Sequence, residues 1–302
     1  MSIVEVANLH KKFKNFAAIK NLSLAVNKGE IFGIIGPDGA GKTTFLRILA
    51  GVIAPDAGTI ESCGVDVVKD PEAVKDKIGV VPQNFSLYPD LTIEENLKFF
   101  SKMYSVPKAE FETRKEKLLR ITNLQPFIER RTEHLSGGMQ KKLALILSLL
   151  HTPLLLLLDE PTTGVDPISR RELWDFFYDL LKAGTTIIVS TPYMDEAERC
   201  SRVGFMYQGE MLQIDEPGRM KNNYQYGVFE ISGPKIEEIK LAEFPKALKI
   251  IDLYAVGDAL HLICECGATN QVQQYFHDQE RFNIKNIEPS FEDVFISLIS
   301  KK

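Results

Sequence analysis

The chain has 302 residues, 44% of them apolar and 25% charged, with a net charge of −5. That mix belongs to a folded globular protein and excludes disordered, collagen-like and disulfide-scaffold chains. A chain this long accommodates about two domains. Its isoelectric point near 5.7 argues against a nucleic-acid partner held by bulk positive charge.

In chain order, residues 3–9 and 22–26 read as short strands. Residues 31–35 form a continuous apolar run, the pattern of a strand covered on both faces. A glycine-rich loop and a helix over 41–50 follow, then strands at 59–63 and 79–81. The pattern is helical across 91–123, where Thr92 and Glu95 make a capping box. A helix over 138–150 precedes a buried strand at 154–158. Asp166 caps and Gly184 stops a helix over 167–183, which leads to a strand at 185–190 and a short helix at 194–199. Strands at 203–207 and 211–215 flank Gln208-Gly209-Glu210 as a hairpin. Strands alternating with helices predict an α/β domain with a largely parallel sheet.

The texture changes after Pro217-Gly218. Strands at 229–231, 248–256, 259–264 and 284–287 alternate with helices at 236–244 and 270–277, and a capped helix at 290–299 ends the chain. That βαββαβ order predicts a small α+β ferredoxin-like domain over 219–302, following a first domain over 1–218. Its sequence shows no convergent polar cluster that suggests a ligand. The readings open for it are a dimer-stabilising appendage and a ligand sensor.

The stretch 143–158 could mimic a membrane span, but His151 and Pro153 interrupt it and Asp159-Glu160 follow. The N-terminus has no signal pattern. Cys63, Cys200, Cys264 and Cys266 are sparse, and the last two lack the spacing of zinc or redox pairs, as expected of thiols in a reducing cytoplasm.

Three segments carry chemistry. Gly36-Pro37-Asp38-Gly39-Ala40-Gly41-Lys42-Thr43 fits G-x-x-x-x-G-K-[ST] between a strand and a helix. Glycines let the backbone wrap phosphates, and amides at a helix N-terminus attract anions. Lys42 should reach the β- and γ-phosphates and the Thr43 hydroxyl should bind Mg²⁺. The strand at 154–158 runs into Asp159, a further Mg²⁺ ligand, and Glu160, a general base for water. Leu135-Ser136-Gly137-Gly138-Met139-Gln140 places two poor helix formers at a helix start. It reads either as a loop capped by Ser136 or as a second phosphate cradle.

These motifs, in this order and separation, resemble the ATP-binding subunit of ABC transporters over the first ~218 residues. The resemblance implies a P-loop NTPase ABC domain: a RecA-like core, an antiparallel β subdomain and a helical subdomain. It implies ATP and Mg²⁺ as cofactors and a head-to-tail dimer. Each ATP would then lie between one subunit's residues 36–44, Thr44 included, and the other's signature of Ser136, Gly137, Gly138 and Gln140. It aligns Phe13 with an aromatic that stacks on adenine, although a core role for Phe13 stays open. It aligns Gln83 with a residue touching Mg²⁺ and water, and Asp166 with a loop that signals across the dimer.

One position departs from the family. Ser190-Thr191-Pro192-Tyr193 carries proline where the family has a histidine that contacts the γ-phosphate. Proline offers no N–H and no side-chain donor. The expectation is a slow site that needs a second ATPase subunit in an asymmetric dimer; the rival is a competent homodimer using Glu160 alone. Residues 36–44 and 164–174 resemble the first half of YbhF-type tandem ATPases of ABC-2 exporters. Residues 288–295 resemble the tail of the daunorubicin-resistance type. The resemblance therefore implies export of drugs or other hydrophobic substrates, with ABC-2-type permease subunits as partners, on the cytoplasmic face of the membrane. The other readings are a regulatory nucleotide-binding module and a soluble, non-transport ABC ATPase.

Overall fold

The computed structural model describes residues 1–84, 87–277 and 282–300. They form two units, Met1–Ile214 and Asp215–Lys302.

The first unit opens with β1 (Ser2–Phe13) and β2 (Phe16–Asn27). Both run well past the short strands expected at 3–9 and 22–26. The two-residue turn between them holds Lys14 at φ 51°, and such positive-φ turns match the twist of paired strands. Then come β3 (Ile31–Ile35), α1 (Lys42–Leu49), β4 (Ala57–Ser62), β5 (Val65–Asp66), α2 (Pro71–Lys75) and β6 (Ile78–Val81). The expected helical stretch is two helices, α3 (Ile93–Met103) and α4 (Lys108–Ile121). Ser105 at φ 53° and Pro107 separate them. The Thr92–Glu95 capping box holds α3, with bonds of 2.8 and 3.2 Å. The unit continues through α5 (Gly137–Ser148), β7 (Leu155–Asp159), α6 (Pro167–Lys182), β8 (Thr186–Thr191), β9 (Arg202–Tyr207) and β10 (Glu210–Asp215).

These strands form two sheets, an antiparallel one of order β2-β1-β4-β5 and a six-stranded one of order β10-β9-β3-β8-β7-β6. In the second, β9, β3, β8, β7 and β6 are parallel. Every residue of β3, β7 and β8 is buried, as layers on both faces require. The core joins both sheets around α1, through Leu22, Val26, Ile34, Phe45, Leu49 and Leu157. Each such side chain contributes about 1.5–3 kcal/mol when fully buried. Because β3, β7 and β8 are parallel neighbours, the loops at their C-terminal ends meet at one edge, where open α/β sheets bind ligands. Among the described residues, no helix is long and apolar enough to cross a membrane.

The second unit contains α7 (Pro217–Asn222), β11 (Tyr226–Ser232), β12 (Ile250–Val256), β13 (Ala259–Glu265), α8 (Thr269–His277), β14 (Asn283–Ile287) and α9 (Phe291–Ile299). The sheet order β12-β13-β11-β14, antiparallel throughout, is that of a ferredoxin-like βαββαβ unit. The helix expected at 236–244 is absent from this arrangement. Three 3₁₀ turns replace it, at Ile236–Glu238, Leu241–Glu243 and Lys246–Leu248. Phe244 is extended because it precedes Pro245, and Ile239 is extended as well. Ile236, Phe244 and Leu248 still reach the core with Phe229, Leu262 and Phe276.

α9 contacts β12 and β13, and a polar cluster lies among these elements. Asp293 is fully buried. Its Oδ1 accepts from Tyr254 Oη at 2.5 Å and lies 3.0 Å from His261 Nδ1, which must carry the proton because a carboxylate only accepts. Its Oδ2 accepts from Ser290 N at 2.7 Å and Ser290 Oγ at 2.6 Å. Burial pushes the Asp293 pKa up, but the bonds from Ser290, Tyr254 and His261 outweigh it and hold the group below its usual range. So the second unit does contain a convergent polar cluster, one whose acceptor positions are all taken.

Candidate active site

Lys42 begins α1 and is only 4% exposed. The loop before it turns at Gly39 (φ 77°) and Gly41 (φ 108°), conformations that cost an L side chain energy. At Gly41 a Cβ would also lie 2.4 Å from the Ala18 carbonyl. The loop borders a cavity of about 270 Å³, lined by Phe16, Ala18, residues 38–44, Gln83 and Glu160.

The ends of β7 and β8 meet the loop through Thr43. Asp159 Oδ1 accepts from Thr43 Oγ1 at 3.1 Å and from Ser190 Oγ at 2.7 Å. Both donors fall on one oxygen, so Oδ2 has no protein partner among the described residues. Glu160 follows in the left-handed region at φ 51°. Its amide donates to Ser190 Oγ at 3.1 Å. Its Oε2 accepts from Gln83 Nε2 at 2.9 Å and Thr163 Oγ1 at 3.4 Å, and its Oε1 lies 3.4 Å from Lys42 Nζ. Lys42 also donates to the carbonyls of Gly36 and Pro37, at 2.8 and 3.1 Å.

The expected residues do not all meet here. Phe13 lies across the strand pair from Phe16 and is 44% exposed, with the Lys11 ammonium 5.4 Å from its ring centre. The aromatic in the cavity wall is Phe16, the first residue after the turn. Ser136, Gly137, Gly138 and Gln140 open α5 and are not in the cavity lining. Ser136 caps that helix by accepting from Met139 N at 3.3 Å, and Gln140 Nε2 donates to the Thr132 carbonyl. Asp166 caps α6, accepting from Ser169 N at 2.9 Å and Ile168 N at 3.1 Å, which lowers its pKa. Pro192 follows Thr191, whose hydroxyl accepts from Tyr193 N at 3.1 Å.

The donor set fits a hard divalent cation, since the Thr43 hydroxyl, the Gln83 amide and the free Asp159 oxygen are all oxygen ligands or can present one. The glycine cradle, with Lys42 at its base, fits a polyphosphate.

Residues 19–163 match the family described as ABC transporter. The chain is 32% identical to the Nod factor export ATP-binding protein I of Ralstonia nicotianae, over 99% of this chain and 94% of that one. The chain belongs to the ABC transporter ATP-binding proteins. It is also 38% identical, over 99% of its own length, to a protein of Escherichia coli (strain K12) named "Probable multidrug ABC transporter ATP-binding protein YbhF". It spans 52% of that relative, about half its length. Two solved structures are similar. One, described as an ATP-binding subunit of an ABC transporter, has TM-score 0.67 and 27% identity, covering 74% of this chain and 93% of that one. The other is a dimeric ATP-binding cassette in a post-hydrolysis state bound to ADP and Pi, with TM-score 0.65, 27% identity and coverage of 70% and 98%. The fold of this ABC ATP-binding protein is thus that of the P-loop NTPase cassettes.

Sequence reasoning missed Phe16, Ser190, Thr163 and Lys141. The Lys141 side chain donates to the Thr163 carbonyl, next to Glu160. Burial lowers its pKa, and the Glu160 charge opposes that shift. Thr163 lies three residues from Glu160 and Ser190 begins the segment that carries Pro192, so both could have been weighed from sequence, whereas only the fold brings Phe16 and Lys141 to this site.

Proposed function

We propose that the chain binds and hydrolyses ATP to drive an ABC-2-type exporter of drugs or other hydrophobic molecules. The observation that carries this is one cavity lined by the phosphate loop and Glu160, with Asp159, one oxygen of it free, bonded to Thr43 of that loop. In this reading amides of residues 36–44 hold the phosphates, and Lys42 exchanges the Gly36 and Pro37 carbonyls for phosphate oxygens. Thr43, Asp159 and Gln83 hold Mg²⁺, which when bound would offset charge on the phosphates. Glu160, oriented by Gln83 and Thr163, accepts the proton of the water that attacks the γ-phosphorus, and the bond to the leaving ADP oxygen breaks. Phe16 stands where an aromatic can stack on a base.

Ser136 and Gly137 are exposed and away from this cavity. That supports a dimer in which Ser136, Gly137, Gly138 and Gln140 close a second chain's site, with Asp166 at the joint. Exposed Val80, Tyr88, Phe99 and Met103, beside the loop carrying Gln83, offer an apolar docking surface for permease subunits on the cytoplasmic face of the membrane. In this reading residues 1–218 act as the ATPase and 219–302 as an exporter-type accessory domain.

Pro192 favours a second reading, a site that binds ATP but turns it over slowly and pairs with a different ATPase subunit. ATPase measurement on the purified chain separates them. The asymmetric reading expects turnover at least about tenfold below that of ordinary transporter ATPases. Ordinary turnover, lost by about 100-fold or more in Glu160→Gln with ATP affinity retained, would establish a competent homodimer instead.

A further inference from the structure

The charge on the cavity wall is unbalanced. Asp38 and Glu160 line it, Asp159 lies beneath it bonded to Thr43, and Lys42 is the cation among the lining residues. Lys42 is already engaged by Glu160 and by the Gly36 and Pro37 carbonyls. Asp38 is exposed, and among the described residues it takes no hydrogen bond and no ion pair.

The Asp38 carboxylate is also separable from the shape of the loop. The turns that form the cradle are set by Gly39 and Gly41, and loops of this kind bind phosphate through backbone amides. An asparagine at 38 would present the same backbone and nearly the same volume without the charge. The carboxylate therefore adds an electrostatic term to a loop that folds without needing it.

We propose that Asp38 makes this site discriminate against metal-free nucleotide. The inference rests on the nucleotide reading of the cavity and says which ionic form of the ligand it accepts. Two carboxylates line the cavity with one ammonium, and a third, Asp159, lies behind Thr43, so a bare triphosphate meets an excess of charge of its own sign. The metal-bound triphosphate carries roughly half that negative charge and is repelled correspondingly less. The metal then contributes to binding and not only to the chemical step, and Asp38 enlarges the difference between the two forms.

Titration of the full chain with ATP, in excess Mg²⁺ and separately in EDTA, tests this. Asp38→Asn should tighten metal-free ATP by about fivefold and Mg-ATP by no more than about twofold. The affinity ratio between the two forms then narrows, and the effect fades at ~1 M salt because the group is exposed. Asp38→Ser should narrow the ratio in the same way, which covers a poorly folding first variant. Glu61→Gln removes one charge from the β4 strand and should leave the ratio unchanged. An unchanged ratio in both Asp38 variants, weaker binding of both forms, or equal narrowing in Glu61→Gln overturns the proposal. Failure of the wild-type chain to bind ATP under either condition overturns the nucleotide reading itself, and so is told apart from an unchanged ratio.

Discussion

Asp159 in the first unit and Asp293 in the second are both buried carboxylates held by hydroxyl groups, yet they are left in opposite states. Thr43 and Ser190 both donate to one oxygen of Asp159, and the other oxygen is left free behind a loop that borders a cavity. Asp293 accepts on both oxygens, from Tyr254, His261 and Ser290, inside a packed layer. Burial alone does not mark a functional acid. Unused acceptor capacity beside open space does, because an unpaired buried group persists only where something else completes it.

Substitutions can break this comparison. The largest effect is expected from Lys42→Ala, which removes the cradle's cation and should weaken ATP binding by about 100-fold in a direct titration. A change under about threefold would mean that the cavity is not the phosphate site. Next comes Asp293→Ala. It strands the donors of Tyr254, His261 and Ser290 and should lower stability by about 2 kcal/mol in urea denaturation, with ATP affinity unchanged. A loss of ATP affinity there would erase the distinction between the two acids. The pH dependence carries a definite sign. Asp293 titrates below its ordinary value of 3.8, so its contribution is complete above that pH and is lost as pH falls through the lowered folded value. Wild-type and Asp293→Ala stabilities should therefore converge in acid below 3.8. The smallest effect is expected from Lys141→Met, which loosens the Thr163 carbonyl beside Glu160. Turnover should fall about fivefold with affinity unchanged, and Lys141→Arg should restore it.

The loop at 36–43 and the strand ending in Asp159-Glu160 were legible because each is a local pattern with a local physical cause. The largely parallel sheet followed from apolar runs alternating with helices. The Ser290 cap was visible for the same reason, since Asp293 lies three residues along. The rest depended on distance in sequence. Ser190 reaches Asp159 across 31 residues, and Tyr254 reaches Asp293 across 39. No spacing rule encodes either contact. The stretch 236–244 reads as helix in sequence because its apolar spacing is helical, while Pro245 forces Phe244 out of helical geometry. Phe13 and Phe16 flank the same two-residue turn, and only the hairpin register decides which borders the cavity.

Position 160 sets folding against chemistry. A glutamate held at φ 51° sits in a backbone region that glycine enters freely and that costs other L-residues about 1–2 kcal/mol. Glycine there would relax the chain and leave Gln83, Thr163 and Lys42 with nothing to hold. The protein keeps the less comfortable residue, so selection for stability and selection for a working carboxylate pull in opposite directions at this one bond.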